Sequence, residues 1–158
     1  MVFVRSAGAV IFRRGPDGRI EYLLLKHRGD YWNFPKGRIE KNEKDKKTVL
    51  REVFEETGLT KIKFLSGFCM IDKYFFRLIE ERPRMALLKK NIFKKVIFYL
   101  ARAPYNSRVK ISSEHQAFGW FDFDRALKKL KYKGSKKILK EADRFLHDYF
   151  SKKSLSNS

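Results

Sequence analysis

The segment Gly37-Arg-Ile-Glu-Lys-Asn-Glu43-Lys-Asp-Lys-Lys-Thr-Val-Leu-Arg51-Glu52-Val-Phe-Glu55-Glu56-Thr-Gly58-Leu59 organises the reading of everything around it. Its apolar residues, Val49, Leu50, Val53 and Phe54, have helical spacing over Lys44 to Thr57. Gly58 stands where a helix C-terminus wants a residue free to turn left-handed. On that helix Glu52 and Glu56 share one face, with Glu55 beside them. Like charges at that spacing repel, so a purely structural helix gains nothing from them. A hard divalent cation resolves the conflict, because Mg²⁺ takes a few carboxylate oxygens and completes its shell with water and phosphate. Three helical glutamates taken alone are more often a solvated acidic face. The longer pattern argues against that.

Five residues separate Gly37 from Glu43, and seven more lead to Arg51-Glu52-Val53-Phe54-Glu55-Glu56-Thr57-Gly58-Leu59. This matches Gly-x5-Glu-x7-Arg-Glu-U-x-Glu-Glu-x-Gly-U, with U aliphatic, at every fixed position. At average residue usage such a coincidence falls below roughly one start in a hundred million. The pattern is the Nudix box, and the chain resembles the Nudix hydrolases. The resemblance implies an α+β (mixed α/β) domain with a mixed β-sheet sandwiched between helices. It implies a loop, helix and loop that bind Mg²⁺, with Mn²⁺ as a substitute, and metal-assisted attack of water on a phosphoanhydride. Glu52, Glu55 and Glu56 match the metal-binding or base positions. Glu43 and Arg51 match the pair that braces loop against helix, and Gly58 is structural. Gly37 matches the position where backbone approaches the metal closely, which suits a residue without a side chain.

Three features outside the box resemble the asymmetric diadenosine tetraphosphate (Ap4A) hydrolases of that superfamily. Trp32-Asn-Phe-Pro-Lys-Gly37 is similar to their Trp-x-x-Pro-Lys-Gly lead-in, which makes Lys36 a phosphate contact. Ser113-Glu-His-Gln-Ala117 followed by Trp120 is similar to a segment whose glutamate, here Glu114, adds a metal-binding carboxylate. Lys94-Lys-Val-Ile-Phe-Tyr-Leu100 is similar to a strand with a phosphate-binding lysine, which aligns with Lys94 beside an interchangeable Lys95. Tyr74 and Tyr132 are candidates to stack on adenine, since an aromatic face binds a base without hydrogen-bond readout. Core packing is the plainer reading of either tyrosine alone. His27 and His147 match nothing and are read as surface residues, and His115 is left unassigned. The resemblance implies cleavage of Ap4A to ATP and AMP.

The composition bounds these expectations. The chain has 158 residues, 43% hydrophobic and 15% aromatic, enough for one packed domain rather than a disordered chain. With 37 Lys plus Arg against 18 Asp plus Glu, the net charge is +19, a surface that attracts polyanions. A small nucleotide is the expected partner, and the charge leaves RNA open as another. Removal of pyrophosphate from RNA 5′ ends is therefore the alternative activity, and a non-catalytic nucleotide- or RNA-binding module is a third reading, disfavoured by the intact box. No apolar run is long enough to span a bilayer, so no membrane role is expected. A single cysteine, Cys69, and no visible signal peptide point to the cytoplasm, with Cys69 as a small buried hydrophobe. Oligomeric state is not legible.

Along the chain, residues 6–12 and 20–25 read as a hairpin across the Arg13-Arg-Gly-Pro-Asp-Gly18 turn. Residues 61–72, 93–102 and 116–121 read as further strands, while 73–91 suggests a long loop or irregular hairpin. Asp122 or Asp124 is expected to cap a helix through Leu130, and Ser135 another to about Phe150. The expected domain covers residues 1–150, with 151–158 a frayed tail.

Overall fold

The computed structural model describes residues 1–82 and 85–157, with the side chains of 80–88 outside that description. Its elements run β1 (Val2–Arg14), β2 (Ile20–His27), β3 (Tyr31–Asn33), β4 (Lys36–Arg38), α1 (Asp45–Thr57), β5 (Lys63–Arg82), β6 (Met85–Arg102), β7 (His115–Phe121), α2 (Phe123–Lys129) and α3 (Lys133–Ser156). The strands form one sheet ordered β3-β2-β1-β6-β5, with β4 on β1 and β7 on β2. β1 and β6 run parallel and the other pairs antiparallel, so the sheet is mixed, in agreement with the expected fold class.

β1 lies at the centre because residues 6–12 can be buried on both faces, as an uninterrupted run of small and apolar side chains. The strand period sends successive residues to opposite sides and divides the core in two. Ala7, Ala9 and Ile11 face α1 and meet Val49 and Val53. Val10 and Phe12 face the other way, onto Leu139, Ala142 and Leu146 of α3. α1 buries a narrow stripe: Leu50 and Phe54, apolar at helical spacing, remain largely exposed. Gly58 ends the helix at φ 72°, its N–H donating to the Phe54 carbonyl at 2.8 Å.

Of the loop and the irregular hairpin expected over 73–91, the hairpin is found: β5 and β6 pair from Lys63↔Arg102 to Arg82↔Met85, with register shifts between Phe64 and Cys69 and between Glu80 and Arg82. Aromatic residues fall on both faces of β5 there, Phe75 on one and Tyr74 and Phe76 on the other, which hides the strand period from a hydrophobicity reading. The structure departs from expectation in four places. Cys69 is exposed. It sits on the outer strand, beyond the reach of α1, which packs on β1 and β4. Ser135 does not cap α3: Tyr132 is the extended N-cap, and the buried Ser135 hydroxyl donates to Asn33 Oδ1 at 3.0 Å. α3 continues through Ser156, so most of the tail expected to fray is helical. His27 is half-buried, its Nε2 shielded from solvent. Elsewhere, Asp122 rather than Asp124 caps α2, accepting from the Arg125 N–H at 2.9 Å. Among the described residues no helix is long and apolar enough to cross a membrane.

Candidate active site

The site forms where α1 passes beneath β4. Arg51 grips Glu43 twice, Nε to Oε1 and Nη2 to Oε2, each at 2.9 Å. Nη2 also donates to the Arg38 carbonyl at 2.9 Å. Glu43 in turn accepts from the Thr48 hydroxyl at 2.7 Å and the Glu40 N–H at 3.1 Å. These hydrogen bonds, that of Arg51 foremost, hold the Glu43 carboxyl down at about 2. The loop preceding α1 is thereby tied to the helix it enters.

On the face presented to β4, Glu56 is 6% exposed and accepts from the Lys36 backbone N–H at 3.2 Å. Burial pushes its carboxyl up to about 8; the charges of Glu52 and Glu114 add to the rise, while Lys36 opposes it. Glu52 is also raised, chiefly by burial, with Glu55 and Glu114 adding repulsion against the 2.8 Å bond from Arg51 Nη1. Glu55 is more open and lies 3.3 Å from the same guanidinium nitrogen. Glu114 is exposed in the turn before β7, near enough for its charge to act on both Glu52 and Glu56. Gly37 is required by sterics: a Cβ there would lie 1.8 Å from the Glu52 carboxyl carbon. The neighbour that the missing side chain admits is thus the glutamate itself.

Among the described residues no three carboxylate, imidazole or thiolate groups converge into a closed cage. Mg²⁺ does not need one, since it keeps several waters and takes one or two carboxylates. The donor set fits such an ion. Two carboxylates are held in a partly dry site that disfavours their charge, a third faces them, and bare backbone at Gly37 borders them.

Beside the carboxylates opens a cleft of about 670 Å³. Lys36 and Lys94 line the end toward the glutamates, and Tyr31, Tyr74, Phe76 and Tyr132 supply aromatic walls. Burial lowers the Lys36 ammonium, against the pull of Glu56 and Glu52. Burial also lowers Lys94, to about 8, and the neighbouring charges of Lys36 and Arg38 push the same way. The strand period separates the interchangeable pair: Lys94 lines the cleft, while Lys95 points to the opposite face of the sheet beside Arg5 and Lys73. Tyr74 is half-buried and Tyr132 is 45% exposed, so neither is simply core.

Sequence reading overlooked several groups here. His27 stacks on Tyr31 with centroids 4.8 Å apart and meets His115 edge-on at 4.6 Å. Burial, with help from the charge of Lys36, drives His27 down to about 3, so its ring is neutral. His115 is buried with its Nε2 unpartnered, 3.9 Å from Glu56 Oε1. Tyr31 stood next to the Trp32 motif and gave that much signal. Asp72, on the cleft wall against Gly134, gave none.

The NUDIX domain model matches residues 3–142. An asymmetrical bis(5′-nucleosyl)-tetraphosphatase of Mus musculus is 33% identical over 90% of this chain and 95% of its own length. The protein of the same description from Caenorhabditis elegans is 28% identical over 90% of this chain and 96% of its own. Among solved structures, a C. elegans Ap4A hydrolase binary complex superposes with a TM-score of 0.76 at 28% identity, covering 92% of this chain and 98% of that one.

Proposed function

Because the chain belongs to the NUDIX domain family, we propose that it is a Mg²⁺-dependent hydrolase of phosphoanhydrides that cleaves Ap4A-like dinucleoside polyphosphates to ATP and AMP. One observation carries the reading: an aromatic cleft runs directly into two lysines and then into buried carboxylates. That is the order of parts in a nucleoside polyphosphate, from flat base to anionic chain to scissile bond. Relatives that match over 90% of this chain are described as asymmetrical bis(5′-nucleosyl)-tetraphosphatases.

In this proposal Tyr74 and Tyr132 sandwich or flank the adenine, with Tyr31 behind Tyr132 at a ring distance of 5.4 Å. Asp72 offers a carboxylate acceptor on the same wall. Lys36 and Lys94 balance charge along the phosphates in a site where burial strengthens each ion pair. Glu52, Glu55, Glu56 and Glu114 would hold the metal, and a box glutamate would accept the proton of the attacking water. Mg²⁺ held there would offset charge on the phosphate oxygens and make that water more acidic. Arg51 and Glu43 do no chemistry; they fix the loop that carries Gly37 against the helix that carries the glutamates. The unpaired Cys69 suits a reducing cytoplasmic compartment.

A second reading, removal of pyrophosphate from RNA 5′ ends, is favoured by the net charge of +19. A panel of Ap4A, Ap3A, nucleoside triphosphates, nucleotide sugars and 5′-triphosphate RNA, each with Mg²⁺ and product identification, separates the two. ATP plus AMP from Ap4A as the fastest reaction supports the proposal. Two ADP from Ap4A, or faster turnover of RNA, rejects it.

A further inference from the structure

The hairpin of β5 and β6 carries a second surface, on the side of the sheet away from the cleft. Cross-strand register places Phe75, Phe93 and Phe3 in one row across three strands, and Lys73, Lys95 and Arg5 in the adjacent row. The rings touch, Phe75 to Phe93 at 4.6 Å and Phe3 to Phe93 at 5.7 Å. Yet Phe75 and Phe3 remain 67% and 70% exposed, because α1 packs further along on β1 and β4 and none of the described residues covers this end.

Both rows are costly as they stand. Large exposed rings waste burial, and two lysines directly opposite on neighbouring strands repel. Arg5 has a counter-ion, Asp45 at 3.6 Å, but Lys73 and Lys95 have no ion pair among the described residues. The two rows lie about 7 Å apart, the spacing of alternate residues in a strand. A ligand that relieves both costs at once must present flat apolar faces alongside a line of negative charge.

We propose that this face of the β5–β6 hairpin binds single-stranded nucleic acid, with bases stacked on Phe3 and Phe75 and phosphates paired with Lys73 and Lys95. Exposed aromatics on a sheet face flanked by cations recognise unpaired bases through their π-faces, and every base has one. A second copy of the chain is a poor occupant, because it would bring its own row of lysines against this one and a net charge of +19. On β6 the surface lies on the opposite face from Lys94, whereas on β5 the chain at Lys73 and Phe75 also borders the cleft, so the two sites share that strand and open on opposite faces of the sheet.

The test is fluorescence anisotropy of the full chain with a 12-nucleotide single-stranded RNA that has a 5′-hydroxyl and a 3′ fluorophore, over a series of NaCl concentrations. Such an oligonucleotide has no phosphoanhydride to occupy the hydrolytic site. Binding that weakens with salt is expected. Phe3→Ala with Phe75→Ala should weaken it at least about 5-fold per ring. Lys73→Gln with Lys95→Gln should reduce the slope of log K against log salt by about 1.4. Both double variants should keep the wild-type circular dichroism spectrum and a cooperative melt, which verifies their fold. Equal affinity for heparin, with no effect of the phenylalanine variants, overturns the proposal in favour of bulk charge. Two further outcomes overturn it: phenylalanine-dependent sedimentation with phosphatidylserine vesicles without oligonucleotide binding, or a dimer that Phe75→Ala dissociates.

Discussion

Arg51 and Glu43 meet through two parallel hydrogen bonds of 2.9 Å, and the same guanidinium reaches across to the carbonyl of Arg38 in β4. One side chain thus joins the helix that bears the candidate catalytic glutamates to both halves of the loop that closes over them. Glu43→Gln should lower the melting temperature and reduce turnover without abolishing it. The Glu43 carboxyl is held at about 2, below its ordinary 4.5, so its stabilisation is present above pH 4.5 and lost as pH falls toward 2. Melts of wild type and variant should therefore differ at pH 7 and converge near pH 2; a constant gap would show that charge is not what binds this pair.

Glu56→Gln should cut Ap4A turnover by roughly 10²- to 10⁴-fold, the range for loss of a general base or its equivalent. It should also change stability in the metal-free protein. The Glu56 carboxyl is raised from 4.5 to about 8, so the folded chain keeps its proton where the unfolded chain has lost it. That contribution is complete below pH 4.5 and disappears as pH rises through 8, a loss of up to a few kcal/mol. In EDTA the wild type should melt lower at pH 8 than at pH 5, and Glu56→Gln should lack that decline. Mg²⁺ should reverse it at pH 8, because it binds the ionised form.

Lys94→Gln should raise KM for Ap4A by about 10-fold or more, as expected for loss of a charged hydrogen bond in a partly dry cleft. Lys95→Gln, on the other face, should leave KM unchanged. The Lys94 ammonium loses its proton near pH 8, so wild-type KM should rise above that pH and the Lys94→Gln profile should be flat. Equal effects of the two substitutions would refute the assignment of Lys94 to phosphate.

Gly37→Ala should destabilise the protein by about 1–3 kcal/mol, the usual cost of forcing extra volume into a packed site. The added Cβ would lie 1.8 Å from the Glu52 carboxyl carbon, so Glu52 must leave its position and turnover should fall with it. Adding Glu52→Ala to Gly37→Ala should restore the melting temperature while leaving the enzyme inactive. If the double variant is no more stable than the single one, the close approach is not the cause.

The box residues were readable in advance because their information is local. A helix repeat of 3.6 residues puts Glu52 and Glu56 on one face wherever the helix sits, and Gly58 ends it by backbone freedom alone. The central strand was readable for the same reason, since Ala7 to Phe12 can be buried on both faces. Long-range pairing was not. Residues 73–79 put Lys73, Phe75 and Arg77 on one face and Tyr74, Phe76 and Leu78 on the other, so aromatic groups on both faces blur the hydrophobic period, and they are strand because residues 89–95 of β6 pair with them. Ser135 looked like a cap by residue type, yet its hydroxyl is committed to Asn33 across the fold.

The carboxylate helix follows from spacing within some twenty consecutive residues, because helix geometry and residue type suffice to define it, and the fold class and kind of chemistry follow from the family resemblance that those residues carry. Tertiary structure decided what depends on neighbours distant in sequence. It raised Glu56 by burying it under Lys36 and turned Lys94 into the cleft while sending Lys95 to the far face. It set His27 against Tyr31 and His115, and left Phe3, Phe75 and their lysines in adjoining uncovered rows. Burial and cross-strand register are properties of the assembled sheet, and the linear order of residues carries neither.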